Sequence, residues 1–332
     1  MISRSPYTRS SRRLAARALT PLYVALGCLG ALAGFAQADT LQSPGLPVVD
    51  DFGAPRDYPA QVVANVRAGE FRVAPGDTLL LDALGQVYSL GADGATLAKL
   101  RSANQLAGVD TLRYRYRDVR LGRIASVDLT NPLRPVVFFA DAQVVVWLNR
   151  NLTEQRRLDL LELGLAPVDA AAYAPNDGLW VFEPDRQRLL RLDRNGAVDQ
   201  ESVELNRLLG MPVRARELAA TPQQVALAIE GGRVLLFGPF GAYRTQLLRP
   251  ASALIADDDR LVFREGADLF RYADDRRLIE PVTVATPART DADGAGADLP
   301  TERPAVELVA VRGEWLLYRR GDRWWVQTVP PR

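Results

Sequence analysis

Six times along this chain an apolar run, a short turn, a second apolar run, a Gly- or Asp-marked turn and a more polar run follow one another. One such unit is a small antiparallel sheet that cannot bury both of its own faces. Six in series need neighbours on either side, and a ring of radial sheets supplies them. The repeat therefore predicts an all-β chain folded as a β-propeller, six-bladed, with seven blades if the region before Leu79 forms a sheet of its own.

Unit one comprises Thr78–Leu84, Gln86–Leu90 and Thr96–Leu100. Unit two has Ile124–Leu129, Val136–Ala140, Val144–Leu148 and Gln155–Leu160. Unit three is the cleanest: Val168–Tyr173, Gly178–Phe182, Arg188–Leu192, an Asn195-Gly196 turn, and Val198–Leu205. Asn-Gly favours a tight hairpin because both residues tolerate positive φ. Units four and five run Arg216–Leu248 and Ala253–Val284. Unit six offers three strands, Val306–Val311, Glu314–Tyr318 and Arg323–Val329, and is one short. The run Val62–Val66 is expected to supply the missing outer strand, closing the ring and removing an open sheet edge.

The domain organisation follows. Residues 1–38 read as a removable export signal: five arginines and no acid, an apolar stretch Leu22–Phe35 too short to span a bilayer, then Ala36-Gln37-Ala38. Arg12-Arg13 partly resembles a twin-arginine motif, so these residues do not separate the two export routes. Cys28 weakly resembles a lipidation site. Residues 39–60 form an extended Pro/Gly leader and 61–330 the propeller. Within it, 286–304 is a Pro-, Gly- and acid-rich surface loop with few large apolar side chains.

The expected mature chain has 294 residues, with 36 basic and 40 acidic side chains and a net charge of −4. Nothing in that balance points to nucleic acid. The sequence has no histidine, which excludes Ser-His-Asp catalysis and His-ligated metals. Its one cysteine lies in the signal, so disulfides and thiolate chemistry are excluded from the mature chain. No cofactor is expected.

Unit two carries a resemblance. Ser126-Val127-Asp128-Leu129-Thr130-Asn131-Pro132-Leu133, with Val136–Asp141 and the Trp147–Leu152 hairpin, resembles a family of exported bacterial propeller-like proteins, over roughly 122–248. The Arg188–Gly196 stretch is similar to the repeats of six-bladed propellers of the NHL type. The resemblance implies the fold and an exported location, and carries over no catalytic residue.

Among candidate sites, Leu112–Arg120 is the most unusual. If extended, it puts Arg113, Arg115 and Arg117 on one side and Tyr114 and Tyr116 on the other, with Arg120 beyond. Read as a connection crossing a face of the ring, such a strip grips phosphate or acidic sugar groups through guanidinium forks. Read as an edge strand, its tyrosines pack on the ring and its arginines meet nearby acids. Asp128, Asn131 and Asp169 are candidates to face the central channel. Asp291–Glu302 partly matches a calcium loop but lacks two ligand positions, and Asp257-Asp258-Asp259 reads as a solvated turn. No metal site is assigned. Trp147, Trp180 and Trp315 belong to the core, and one of Trp324 and Trp325 is left partly exposed.

These features lead to an expectation of a non-catalytic binding or scaffolding module in the periplasm, with association at the outer membrane as the finer expectation. Envelope proteins are its expected partners, with an anionic glycan or lipid headgroup next, and no transmembrane segment is expected in the mature chain. The rival is a propeller hydrolase, lyase or lactonase using a carboxylate-bound divalent cation at the channel mouth.

Overall fold

The computed structural model describes residues 48–49, 68–71, 73–100, 114–273, 278–282 and 306–328. Strands β1 (Val48–Val49) and β2 (Ala68–Phe71) precede six sheets. Blade one is β3 (Thr78–Leu81), β4 (Val87–Leu90), β5 (Thr96–Lys99) and β6 (Tyr114–Arg117). Blade two is β7 (Ser126–Asp128), β8 (Val136–Phe139), β9 (Val144–Leu148) and β10 (Glu154–Asp159). Blade three is β11 (Ala170–Ala174), β12 (Gly178–Glu183), β13 (Arg188–Leu192) and β14 (Val198–Glu201), followed by the short helix α1 (Leu205–Leu209). Blade four is β15 (Ala215–Ala220), β16 (Val225–Ile229), β17 (Arg233–Phe237) and β18 (Tyr243–Leu247). Blade five is β19 (Ala253–Asp257), β20 (Arg260–Glu265), β21 (Asp268–Ala273) and β22 (Leu278–Pro281), and β23 (Val306–Arg312), β24 (Trp315–Arg320) and β25 (Arg323–Thr328) build most of blade six.

The four strands of each blade are antiparallel and, in blades one to five, in chain order, with β1 added parallel to β18 at the edge of blade four (Val48 opposite Gln246). The first strands of successive blades lie against one another from β7 through β23 and on to β3. The chain is a six-bladed β-propeller, which rules out the seven-bladed alternative. Blade six is completed by β2, which pairs antiparallel with β25 (Ala68 opposite Gln327, Phe71 opposite Trp324). An N-terminal strand thus closes the ring, but it is Ala68–Phe71; the expected run Val62–Val66 lies outside the described residues. An outermost strand needs backbone pairing and one buried anchor, here Phe71, rather than an apolar run.

The core lies between blades. Tyr88, Leu97 and Tyr116 of blade one meet Val137, Phe139 and Val146 of blade two. Trp147 and Phe138 of blade two meet Leu179, Val181 and Leu190 of blade three. Second and third strands are apolar on both faces because each face touches a neighbouring blade; all five residues of β9 and of β16 are buried. First strands carry small residues, Ala170, Ala171, Ala172 and Ala174 in β11, where the ring is most crowded. Trp147, Trp180, Trp315 and Trp324 are buried, and Trp325 is partly exposed, stacked on Tyr318 at 5.6 Å.

The Asn195-Gly196 turn differs from a two-residue hairpin. Gly196 alone takes a positive φ (88°), and the Asp193 carboxylate holds the N–H groups of Asn195 and Ala197 at 2.7 and 2.9 Å. Asn149 does the same for Asn151 and Thr153 in blade two. A short polar side chain thus replaces the missing turn acceptors.

Candidate functional site

Acidic side chains near the axis join blades two to six, each to the next. Asp128, ending β7, accepts from Thr130 N and from Tyr173 N of blade three, both at 2.8 Å. Asp169, before β11, accepts from Ala215 N of blade four at 3.3 Å and pairs with Arg214 at 3.1 Å. Glu217 accepts from Leu254 N of blade five at 2.9 Å. Asp257 accepts from Gly313 N of blade six, while Arg312 Nη1 donates to Ala256 O at 2.7 Å.

Two glutamines repeat the device further out. Gln143 accepts from Val168 N at 2.7 Å and donates to Val168 O at 3.0 Å; Gln187 does the same to Val213 at 2.7 and 2.8 Å. Both sit at positive φ (55° and 53°), a conformation a non-glycine residue holds only when its surroundings compensate.

The turns between first and second strands meet at one end of the axis. Gly313 lies against Ala83 O, and the Trp315 ring lies over Gly85, whose φ of 71° and lack of Cβ permit that approach. Arg134 and Asp177 form an ion pair between blades two and three. Arg312 is 9 % exposed and lies within electrostatic reach of Asp82, Asp128, Glu217 and Asp257 from four other blades. Burial pushes its pKa down, and those acids oppose the shift. Burial raises the carboxyl of Asp257, opposed by the Gly313 N–H and by Arg271 and Arg312. Glu217 is pushed up to about 7, chiefly by burial and against the Leu254 N–H. It keeps partial solvent contact by area, but the ring encloses its carboxyl, so desolvation governs it. Above this polar layer Leu84 and Leu133 are 56 % and 60 % exposed, on the turns of neighbouring blades.

The predicted candidates separate into three places. Asp128 and Asn131 meet at the mouth, where Asn131 Nδ2 donates to the Tyr173 hydroxyl at 3.3 Å. Asp169 lies at the opposite end of the first strands, about 13 Å away at ~3.3 Å per residue. The arginine–tyrosine strip is β6, the outer strand of blade one, paired with β5, rather than a connection across a face. Arg113 lies outside the described residues. Tyr116 is buried against Phe139 (6.4 Å between centroids), its hydroxyl pushed up to about 12 by burial and then by Glu154. Tyr114 packs on the same cluster. Arg115 and Arg117 point outward, Arg117 3.6 Å from Asp93. Arg120 pairs with Asp118 at 3.0 Å, and Asp118 also takes Arg157 at 2.9 Å. Those hydrogen bonds, Arg120 first, hold Asp118 well below the usual carboxylate range.

Asp257 corrects the reading of 257–259 as a solvated run: Asp258 and Asp259 make the turn, but Asp257 is buried. Asp82, Glu217 and Arg312 escaped sequence reasoning because their partners lie on other blades or in a local turn. A polar residue ending an otherwise small or apolar first strand was the available signal. Among the described residues no group of three acidic side chains lies close enough together to hold a metal ion. The Asp291–Glu302 stretch lies outside the described residues.

No family model and no curated protein matches the sequence. Solved structures do. A streptogramin B lyase aligns with a TM-score of 0.50 at 11 % identity, over 80 % of this chain and 98 % of that one. Virginiamycin B lyase from Staphylococcus aureus gives 0.50 at 13 %, over 80 % and 100 %. BamB from Moraxella catarrhalis gives 0.39 at 12 %, over 75 % and 71 %. At such identities the likeness to the two lyases establishes the propeller architecture alone.

Proposed function

We propose that this chain is an exported, non-catalytic propeller that serves as a binding or scaffolding module for cell-envelope proteins, docking them on the face formed by its first-to-second-strand turns. One observation carries the reading. The carboxylates near the axis are hydrogen-bonded to backbone of the next blade or paired with arginine, while the turns above them present Leu84 and Leu133 to solvent. Acids spent on holding the ring are poor candidates for moving protons or binding a cation; exposed leucines on adjacent turns suit a partner surface. The basic leader and Ala36-Gln37-Ala38 support export to the periplasm.

The test is crosslinked capture from the native envelope with the full chain and with Leu84→Glu/Leu133→Glu. Loss of the same proteins from the variant is expected, and unchanged capture contradicts the docking face. Added calcium or magnesium is expected to leave Tm unchanged; a large rise would favour the metal-dependent hydrolase, lyase or lactonase instead. A second reading rests on the outward Arg115 and Arg117 of β6: an anionic glycan or lipid headgroup bound at the rim, together with Arg113 and Arg120. Vesicle or glycan binding that survives replacement of all four by Ala would remove it.

A further inference from the structure

Trp147 and Arg156 stand opposite each other on β9 and β10, on the face of blade two that packs against blade three. The guanidinium carbon lies 3.8 Å from the indole centroid, a stacked cation–π contact. Trp147 is 3 % exposed, yet its indole N–H has no acceptor among the described residues. The same is true of Nε and Nη2 of Arg156, both buried. Stacking fixes the ring and the fork but satisfies none of these three donors. A buried donor left unpaired is costly, and more so when charged. Burial accordingly pushes the arginine's pKa down.

The surroundings show what is missing. Charged groups in electrostatic reach of Arg156 include Asp177, Arg194, Asp193 and Arg134. Asp177 is committed to Arg134, and Asp193 to the N–H groups of its own turn. Neither acid reaches Arg156. Arg156 as a residue keeps partial solvent exposure although Nε and Nη2 are buried, and its partner Trp147 pairs with Val136, just after the turn that carries the exposed Leu133. A group docking on that turn therefore approaches the solvent-facing part of the side chain. Arg134 and Arg194 lie in reach beside Asp177 and Asp193, so an incoming anion meets acids as well as arginines. A monoanion is repelled less by those acids than a dianionic phosphate. A planar carboxylate also matches the guanidinium fork in shape.

We propose that the Trp147–Arg156 pair, where blade two packs against blade three, is a carboxylate-binding subsite that takes an acidic side chain of a docked protein. The inference rests on the scaffold reading and names the chemistry its partner presents at this face.

The test titrates the full chain with sodium acetate and with a blocked glutamate peptide, against chloride at matched ionic strength, following tryptophan fluorescence and Tm. Saturable binding of both carboxylates is expected, lost in Arg156→Met and weakened about tenfold in Arg156→Lys, whose ammonium lacks the fork. Trp147→Phe, read by Tm, is expected to weaken binding without abolishing it, and serves should Arg156→Met fail to fold. Absence of saturable binding to wild type, or binding unaffected by Arg156→Lys, overturns the subsite. Tighter binding of inorganic phosphate than of acetate overturns its assignment to carboxylates. Acetate binding that fails while envelope capture still depends on Leu84 and Leu133 sinks this inference alone. Binding that succeeds while capture does not sinks the scaffold reading.

Discussion

The acids of the inner ring and the acids of the outer rim are the same residue types in opposite circumstances. Asp128, Glu217 and Asp257 sit near the axis and accept backbone N–H groups of the following blade. Asp118 sits at the rim, itself 9 % exposed, where it bridges Arg120 and Arg157, whose side chains reach water. Inner bonds are made in a poorly solvated layer, where a lost partner leaves a group that water does not readily rescue. Rim pairs are screened and replaceable. The ring is therefore held at its centre and remains permissive at its edge.

The contrast is sharpened by substitution, from the largest expected effect to the smallest. Arg312→Ala removes a buried cation that faces Asp82, Asp128, Glu217 and Asp257, leaving Asp257 with Arg271 at 3.6 Å and Ala256 O without the Arg312 donor; a loss of about 3–5 kcal/mol is expected in urea melts. Gln187→Ala unpairs both Val213 N and Val213 O, and a loss of about 2–4 kcal/mol is expected. An effect of either below that of an average surface change would break the comparison.

Glu217 allows a test by pH. Its carboxyl is raised to about 7 from the ordinary 4.5, so its contribution to stability is full below 4.5 and is lost as pH rises through 7. Glu217→Gln keeps an acceptor for Leu254 N without the charge. It is expected to be more stable than wild type at pH 8 by about 1–3 kcal/mol, with the curves converging below pH 4.5. Equal stability at both pH values would place the carboxyl in ordinary solvent.

Asp118 carries the opposite sign: its pKa is depressed, so its contribution exists above the ordinary carboxylate range and fades as pH falls. Its partners are solvated, so Asp118→Ala is expected to cost less than about 1 kcal/mol, shrinking further in high salt. A larger, salt-independent loss would make the rim as structural as the axis.

Most of the ring was legible because a blade's middle strands must be apolar on both faces. Val144-Val145-Val146-Trp147 and Leu179-Trp180-Val181-Phe182 have no other comfortable place. Outer strands obey a weaker rule, and there the reading slipped. The Val62–Val66 run outscored Ala68–Phe71 as a closing strand only because it is more apolar. Tyr114–Arg117 resembled a binding strip because an outer strand turns every second residue to water. The alternation in that strip was readable, and of its two readings the edge strand, with tyrosines packed inward and Arg117 beside Asp93, is the one the fold adopts. The axial acids were less legible still. Nothing local distinguishes Asp257 from Asp258 and Asp259, although the first is buried against blade six and the others make the turn.

Closure of the ring by β2 is the claim on which the rest depends, and crosslinking tests it most directly. Glu70 and Trp325 face each other across β2 and β25. Directly opposed antiparallel residues lie at Cα separations that a disulfide can bridge. In a Cys28→Ser background, the Glu70→Cys/Trp325→Cys chain is expected to form an intramolecular disulfide under mild oxidation, migrate faster on a non-reducing gel, and melt at a higher temperature than its reduced form. A chain that stays reduced, or crosslinks only between molecules, would show that the first described strands do not seal the last blade.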